Sequence, residues 1–297
     1  MFKLFFENNF GKLYHGDNLE LMQSLEPESI DLIYADPPYF SQKDYGEFSD
    51  KWESMQGYLD FINARLWEMK RLLKPTGSIY VHLDWHASHY VKVEMDKIYG
   101  VENFRNEIAW CYRGGGVPSN DFAKKHDTIL RYSKSDKYLF RIDSVRIPYS
   151  EDVQKSGTSR FDKIYRTNKV YEGYRPNEKG KHPEDWWPIQ KLMPSDKTEQ
   201  IGYPTQKPIE LLQRIIESSS NPGDVVADFF CGCGSFIAVA QGIRVRREKR
   251  EVTKRNGIKD VKEKLFYHRS LDQRFWIACD QSRIAAEITK KRIEKIS

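Results

Sequence analysis

The chain has 297 residues, of which 39% are hydrophobic and 31% charged, and its formal net charge is +5 at pH 7. These values are typical of a globular protein with a buried core, and no apolar run reaches the roughly 20 residues of a membrane-spanning helix. Four unevenly spaced cysteines exclude a disulfide framework, and no leader core of adequate length forms before Glu7, so we expect a cytoplasmic protein.

Short apolar segments that end at polar or turn residues predict strands along the chain. They cover residues 12–17, 30–36, 77–84, 106–112, 126–133, 224–230 and 275–280. Apolar residues at three- and four-residue steps predict helices over 57–73, 86–100, 208–219 and 282–296. Strands that alternate with helices indicate an α/β fold with a parallel, doubly wound sheet.

Two segments interrupt this alternation. Residues 141–200 contain five prolines, scattered charges and many aromatic residues, and their length predicts a small inserted subdomain rather than one long loop. Residues 244–272 carry eleven basic and five acidic side chains, 11 − 5 = +6, which leaves the rest of the chain at −1. This basic segment is either a DNA contact, where phosphate attraction would concentrate, or a solvated loop.

A glycine-rich turn follows the strand predicted at 224–230. The strand delivers Asp228, and Gly232 and Gly234 then allow a tight turn and a close approach of the backbone to a ligand. The next strand ends at Asp280, whose carboxylate can accept hydrogen bonds from ribose hydroxyls. Because the third glycine of the dinucleotide fingerprint is absent, the pattern favours an adenosine-binding crevice, with a purely structural turn as the alternative.

The stretch DLIYADPPYF places Asp36, Pro37, Pro38 and Tyr39 at the end of another predicted strand. The prolines fix two φ angles and remove two N–H donors, so the loop is rigid and rich in acceptors. Asp36 and the Pro37 carbonyl can accept from a planar amino group, while Tyr39 offers a flat face to an extruded base. The alternative is a strand stop that carries a surface tyrosine.

Cys231 and Cys233 form a Cys-x-Cys pair in the glycine-rich turn. No second Cys/His pair lies at zinc spacing, and we therefore predict no metal site.

These segments together resemble the amino-group DNA methyltransferases that use S-adenosyl-L-methionine. The family's catalytic loop is D/N/S-P-P-Y/F/W and its cofactor signature is FxGxG, which here are residues 36–39 and 230–234. GYPTQKP at 202–208 and YHGDNLELM at 14–22 resemble two further cofactor-side segments. The catalytic loop comes first, followed by an insert, TQKP and FxGxG, and this order is that of the circularly permuted β class.

The resemblance implies a Rossmann-like class I methyltransferase sheet of seven mostly parallel strands in permuted order, with an inserted target-recognition subdomain. It divides the chain into a catalytic half (1–140), the insert (141–200) and a cofactor-binding half (201–297) that contains the basic 244–272 segment. The implied catalytic residues are Asp36, Pro37, Pro38 and Tyr39. The implied S-adenosyl-L-methionine-binding residues are Asp17, Thr205, Gln206, Lys207, Asp228, Phe230, Cys231, Gly232, Gly234, Ser235 and Asp280.

The chain departs from the family's common DPFCGSGTT at several positions. Phe229 stands for a proline, Cys233 for a serine, and Ser235 and Phe236 for two threonines. Since Asp228 and both glycines are kept, we expect cofactor binding to persist with some change in affinity.

The activity implied is methyl transfer to the exocyclic amine of a flipped base in double-stranded DNA. Adenine N6 is favoured because DPPY in this arrangement accompanies adenine methylation more often, and cytosine N4 is the alternative. A catalytically silent DNA-specificity subunit is an alternative of another class, and the permuted order counts against RNA and protein methyltransferases. The resemblance leaves a homodimer and a cognate restriction endonuclease open as partners, and it implies no membrane.

Target recognition is assigned to the insert. Arg160, Arg166, Arg175 and Lys179 are the candidates to reach base edges or phosphates. For Trp186 and Trp187 we favour buried packing at the subdomain junction over base stacking. His82, Asp84 and His86 receive no role beyond a local hydrogen-bond network.

Overall fold

The computed structural model describes residues 1–46, 48–116, 118–149, 177–193, 198–253 and 259–296, with backbone only at 249–253 and 259–262. Its strands are β1 (Phe2–Asn8), β2 (Gly11–Gly16), β3 (Ile30–Ala35), β4 (Leu73–Leu83), β5 (Phe104–Cys111), β6 (His126–Ser133), β7 (Trp186–Trp187), β8 (Val225–Asp228), β9 (Ile243–Thr253), β10 (Lys259–Arg269) and β11 (Phe275–Asp280). Its helices are α1 (Asn18–Ser24), α2 (Met55–Leu72), α3 (Ser88–Tyr99), α4 (Ile209–Ser219), α5 (Ser235–Ala240) and α6 (Arg283–Glu294).

One sheet of nine strands forms the centre, in the order β1-β2-β11-β8-β3-β4-β6-β5-β7. The pairs from β2 to β4 are parallel, β6 is antiparallel to both of its neighbours, and β1 is antiparallel to β2. The predicted α/β fold with a mostly parallel sheet is confirmed. The sheet has nine strands rather than seven because β1 adds a hairpin partner to β2 and the two-residue β7 pairs with β5.

Helices cover both faces of the sheet. Leu32 and Tyr34 of β3 join a core that includes α4, α5 and α6, whereas Ile33 and Ala35 join a core that includes α1, α2 and α3. Successive side chains of a strand point to opposite faces, and so a strand buried on both faces is apolar at every position. This burial explains why the segment before Asp36 is a continuous apolar run.

The helix α2 and the strand β4 that follows it differ from their predicted bounds. The helix α2 begins at Met55, and the Ser54 hydroxyl caps it by accepting from the Gly57 N–H at 3.1 Å. The predicted strand begins at residue 77, but β4 begins directly at Leu73 because Leu73 pairs with Ile30 of β3. A register shift between Ile30 and Leu32 then accommodates the proline-containing residues.

The basic segment forms an antiparallel hairpin of β9 and β10, paired without a break from Ile243↔Arg269 to Thr253↔Lys259. It is therefore not a solvated loop. Acidic residues of the protein itself neutralise part of the positive charge of this hairpin. The buried Arg244 binds Glu217 at 2.8 Å, and Arg247 binds Glu210 at 2.8 Å. DNA contact by the hairpin stays a prediction.

Only the two ends of the predicted insert belong to the described residues. Trp187 is buried, as expected, but Trp186 is half-exposed. Lys179 binds Asp143 at 3.1 Å, while Arg160, Arg166 and Arg175 lie outside the described residues. The proposed domain limits and the recognition role of the insert stay predictions. In the described part of the chain, no helix has the length and apolarity required to cross a membrane.

Candidate active site

Three parallel strands deliver the predicted chemistry to one edge of the sheet. The adjacent strands β3, β8 and β11 end just before Asp36, at Asp228 and at Asp280. The carboxyl ends of parallel strands are where open α/β sheets bind ligands. A cavity of about 480 Å³ opens there, and it extends from the Asp36–Tyr39 loop to the glycine-rich turn.

Most of the predicted site residues line this one cavity. They are Asp36, Pro37, Pro38, Tyr39, Thr205, Gln206, Lys207, Asp228, Phe230, Cys231, Gly232, Ser235 and Asp280. The structure thus brings together residues up to 244 positions apart in the chain, from Asp36 to Asp280. Asp17 and Gly234 are not among the lining residues.

Asp17 has a structural place beside the cavity. Its carboxylate caps α1 by accepting from the Leu19 N–H at 2.7 Å, and it forms an ion pair with Arg65 at 3.2 Å. The next residue, Asn18, lines the cavity and donates from Nδ2 to the Phe229 carbonyl at 2.7 Å. Its contact with the chain beside the glycine-rich turn was not predicted.

The Asp36 carboxylate is held between the two halves of the site. One oxygen accepts from the Tyr39 hydroxyl, and the other forms an ion pair with the Lys207 ammonium. Burial, followed by the charge of Asp36, raises the pKa of Tyr39 well above its usual range, so this hydroxyl stays protonated as a donor. Lys207 comes from the TQKP segment and also donates to the Thr205 carbonyl at 3.2 Å.

The two proline carbonyls of the loop differ in their partners. The Pro38 carbonyl accepts from the Tyr58 hydroxyl at 2.8 Å. Among the described residues, no donor makes a hydrogen bond to the Pro37 carbonyl. Pro37 lines the cavity, so its carbonyl oxygen and Asp36 are the acceptors that the loop offers to a ligand.

Asp50 fixes the backbone at and after Tyr39, a role that the sequence did not predict. Its buried carboxylate accepts from the N–H groups of Tyr39 at 3.1 Å, Phe40 at 2.9 Å and Ser41 at 2.8 Å, and from Trp52 Nε1 at 2.9 Å. Phe40 adopts φ +63°, a left-handed conformation that needs such support in a non-glycine residue. Asp50 therefore anchors the backbone of Tyr39.

Asp50→Asn is expected to loosen this anchor. One oxygen of Asp50 accepts two backbone N–H groups and the other accepts a backbone and an indole N–H, so the new amide NH₂ must face donors in either orientation. We expect a loss of about 1–3 kcal/mol in unfolding free energy, measured by urea denaturation. The exposed Asp44→Asn, in the same loop, is the control and is expected to change little. Equal effects of both changes would contradict the anchor.

A buried polar network supports Tyr39 from behind. The His82 ring lies 6.0 Å from the Tyr39 ring at an interplanar angle of 26°, and its Nδ1 is 2.9 Å from the Tyr34 hydroxyl. Its Nε2 faces Asp127 at 3.5 Å, and Asp127 accepts from the Tyr112 hydroxyl at 2.7 Å. His82 thus joins a network beside the Asp36–Tyr39 loop, whereas His86 pairs locally with Asp84 at 2.7 Å, as predicted.

Burial, and then the charge of Lys207, lower the pKa of His82 below its usual value, against the opposing effect of Asp127. The folded protein therefore keeps His82 neutral at pH values where the unfolded chain, with a pKa of about 6.5, already binds the proton. Because the unfolded chain gains this proton first, the unfolding free energy is highest above pH ~6.5 with respect to His82. It decreases as the pH falls through the mildly acidic range.

His82→Gln is therefore expected to flatten the fall of the thermal midpoint between pH 7 and pH 5, measured by calorimetry. Asp127 has a lowered pKa, but its stabilisation is lost only below the carboxyl pKa of about 3.9 in the unfolded chain, outside this window. The exposed His89→Gln serves as the control. A variant at His82 with the slope of the wild type would contradict the assignment.

The glycine-rich turn is built for close approach. Gly232 has φ +50° and donates its N–H to Asp280 at 2.8 Å, and its carbonyl accepts from the Thr289 hydroxyl at 2.9 Å. Gly234 has φ +71°, and a Cβ there would lie 2.7 Å from Thr289 Cγ2. Asp280 also accepts from the Ser282 N–H at 2.8 Å, so the turn, β11 and α6 share one set of contacts.

Burial affects the ionisation of two carboxyl groups and two thiols at this edge of the sheet. Burial raises the pKa of Asp228 well above its usual range, and the nearby charges of Asp36 and Asp280 act in the same direction. Burial also raises the pKa of Asp280 and of the thiols of Cys231 and Cys233. Among the described residues, no group of three or more His, Cys, Asp or Glu side chains has a metal-binding arrangement.

Two relatives of known type share a large part of the sequence. The chain is 30% identical over 268 residues to the type II methyltransferase M.HpaI of Haemophilus parainfluenzae, which covers 86% of this chain and 78% of the relative. It is 31% identical over 240 residues to the DNA adenine methyltransferase YhdJ of Escherichia coli strain K12, which covers 79% of this chain and 76% of the relative.

Solved structures share the fold at lower identity. The cytosine-N4-specific PvuII DNA methyltransferase matches with a TM-score of 0.64 and 18% identity, over 97% of this chain and 90% of that one. A putative DNA modification methylase of Thermus thermophilus, complexed with S-adenosyl-L-methionine, matches with a TM-score of 0.56 and 19% identity, over 96% and 93%. These likenesses confirm the predicted methyltransferase fold.

The profile of the N6/N4 DNA methylases matches residues 30–291, which include the Asp36–Tyr39 loop, the glycine-rich turn and Asp280. This chain therefore belongs to the N6/N4 family of DNA methylases, as the resemblance predicted.

Proposed function

We propose that this DNA methylase transfers a methyl group from S-adenosyl-L-methionine to the N6 amino group of an adenine flipped out of double-stranded DNA. The observation that carries the proposal is the pair of acceptors at the cavity, Asp36 and the Pro37 carbonyl, beside the ring of Tyr39. A planar amino group that enters the cavity meets both acceptors and a flat aromatic face.

The acceptors activate the amine. The lone pair of a base amine is delocalised into the ring, which makes the nitrogen a poor nucleophile. Hydrogen bonds to Asp36 and to the Pro37 carbonyl favour a tetrahedral nitrogen and stabilise the positive charge that develops on it during direct methyl transfer. No covalent bond between enzyme and base is required.

Lys207 and Tyr39 prepare Asp36 for this role. Each is bound to one carboxylate oxygen, and each oxygen has a second lone pair left for the target amine. Lys207 therefore acts on the catalytic side as well as on the predicted cofactor side.

The residues around the glycine-rich turn fit the cofactor. The cavity of about 480 Å³ has the size of sites for molecules of this class, roughly 300–1,000 Å³. Gly232 leaves its wall free of a side chain, and Asp280 lines it with a carboxylate that can accept from ribose hydroxyls. When bound, S-adenosyl-L-methionine supplies a methyl group activated by its positively charged sulfur.

Adenine is preferred over cytosine on two grounds. The loop is DPPY, and the relative YhdJ, at 31% identity, is a DNA adenine methyltransferase. The cytosine-N4-specific PvuII enzyme shares the fold at only 18% identity. Cytosine N4 is the alternative target, since the same acceptors suit its amine.

Transfer of a labelled methyl group tests the proposal. The purified protein is incubated with methyl-labelled S-adenosyl-L-methionine and duplex DNA, RNA of the same sequence, or protein. We expect label in duplex DNA alone. After digestion to nucleosides, we expect the label in N6-methyl-2′-deoxyadenosine. Label in N4-methylcytosine would establish the alternative base. DNA that is bound but unlabelled would establish a silent specificity subunit, and label in RNA or protein would overturn the proposal.

A further inference from the structure

One aromatic side chain is exposed to an unusual degree. Among the described residues, three large apolar side chains are more than nine-tenths exposed, namely Met1 at 99%, Phe122 at 94% and Leu271 at 92%. Met1 is the first residue, whereas Phe122 and Leu271 lie inside the chain. A single exposed apolar side chain is common on protein surfaces, so its position and its neighbours decide whether it has a partner.

Phe122 lies on a loop at the edge of the sheet where the active site opens. Residues 112–125, described except for residue 117, connect β5 to β6, and we call them the 112–125 loop. The strand β5 runs in the same direction as β3 and β4, so the loop leaves from the edge that carries Asp36. Leu271 follows β10 and precedes β11, and it therefore lies toward the opposite edge.

The base of the 112–125 loop is anchored to the network behind Tyr39. The Tyr112 hydroxyl donates to Asp127, which faces His82, and His82 packs against the Tyr39 ring. Gln190 Oε1 accepts from the Arg113 N–H at 3.2 Å, which ties the loop to the end of the predicted insert. The start of the loop, at Tyr112 and Arg113, is thus fixed relative to Tyr39.

The surroundings of Phe122 suit nucleic acid. The 112–125 loop contains three basic residues, Arg113, Lys124 and Lys125, and one acid, Asp121. The Lys124 ammonium lies 5.0 Å from the ring centre of the half-exposed Trp85, two residues after the end of β4. Positive charge beside exposed aromatic rings matches a phosphate backbone with stacked bases.

We propose that Phe122 enters the DNA duplex beside the target base and fills the gap that the flipped base leaves in the stack. Proteins that unstack DNA use apolar side chains as wedges in this way, and aromatic rings also stack on the exposed neighbouring bases. This inference rests on the proposed function, because it assigns to Phe122 the step that brings the target amine to Asp36.

The test compares two unmethylated duplexes that carry the recognition sequence. One duplex is intact, and the other has an abasic site opposite the target base. Phe122→Ala is expected to lower kcat/KM on the intact duplex by roughly 5- to 150-fold, the equivalent of one lost base–aromatic contact. An unpaired target costs less to flip, so the abasic duplex is expected to restore most of the lost rate. Phe122→Leu, which keeps an apolar wedge, is expected to stay near the wild type on both.

Val101→Ala is the control, since it removes an exposed apolar side chain just before β5, at the other edge of the sheet, and no change is expected. Phe122→Ala with wild-type activity on intact DNA, or with the same loss on both duplexes, would overturn the inference. If the wild-type protein methylates neither duplex, the proposed function itself fails. The two failures are therefore distinguishable.

Discussion

Asp36→Ala is expected to lower the rate of methylation severely while S-adenosyl-L-methionine still binds. The carboxylate is one of the two acceptors offered to the target amine, and removing one such group from a preorganised site lowers the rate by roughly 10²–10³-fold. The loss is expected in kcat, because the group acts on the charge that develops during transfer. Initial rates with labelled cofactor give kcat, and isothermal titration calorimetry gives cofactor affinity.

Two variants keep this prediction from resting on a folding defect. Asp36→Asn keeps the shape and one acceptor oxygen, and it is expected to retain more activity than alanine. Lys207→Met removes the ammonium but leaves the carboxylate, and its thermal midpoint shows what breaking the ion pair alone does to stability. If Asp36→Ala lost cofactor binding and methylation together, the loop would be misassigned.

Gly234→Ala is expected to weaken cofactor binding through its contact with α6. The left-handed backbone at φ +71° costs a non-glycine residue about 1–3 kcal/mol, and the new Cβ would lie 2.7 Å from Thr289 Cγ2. Relief of the clash moves α6 away from the turn and disturbs the Thr289 contact with the Gly232 carbonyl. Calorimetric affinity and thermal unfolding measure the two effects.

Gly223→Ala separates backbone strain from the clash. Gly223 has φ +84°, but a Cβ there would meet nothing within 4 Å. It is expected to show the strain alone, with unchanged cofactor affinity. Equal loss of affinity in both variants would mean that the close packing of Gly234 against α6 has no part in binding.

Local sequence signals were enough to predict where the chemistry lies. The continuous apolar run before Asp36 predicts a strand buried on both faces, and the two prolines end it, so Asp36 had to lie at a strand end. The glycines after Asp228 likewise mark the end of β8, and Asp280 marks the end of β11. Because adjacent parallel strands share their carboxyl edge, the three sites meet at one cavity.

Residues that hold the site through long-range contacts could not be predicted. Asp50 is 14 positions from Asp36, and its neighbours carry no pattern that distinguishes it from a surface acid. His82 lies on a buried strand, but its contacts with Tyr39 and Asp127 depend on the sheet order, which periodicity does not supply. Asp17 caps α1 and pairs with Arg65, and its predicted contact with the cofactor stays a prediction.

The basic 244–272 segment shows where composition misleads. Its charge suggested either a solvated loop or a DNA contact. The structure has a hairpin in place of the loop, with Val245 and Leu265 packed into the core that contains α4, while DNA contact stays a prediction. Arg244 and Arg247 are used in ion pairs with the protein's own glutamates. A count of charges therefore overestimates the positive surface that is open to DNA.

Expression of the chain in a host without adenine methylation, followed by single-molecule sequencing of the host DNA, tests the central claim most directly. The Asp36→Ala variant, expressed in parallel, is the control. We predict N6-methyladenine at one short recurring sequence, present with the wild type and strongly reduced with the variant. Host DNA without any methylated amine, or with the same methylation in both strains, would contradict the account.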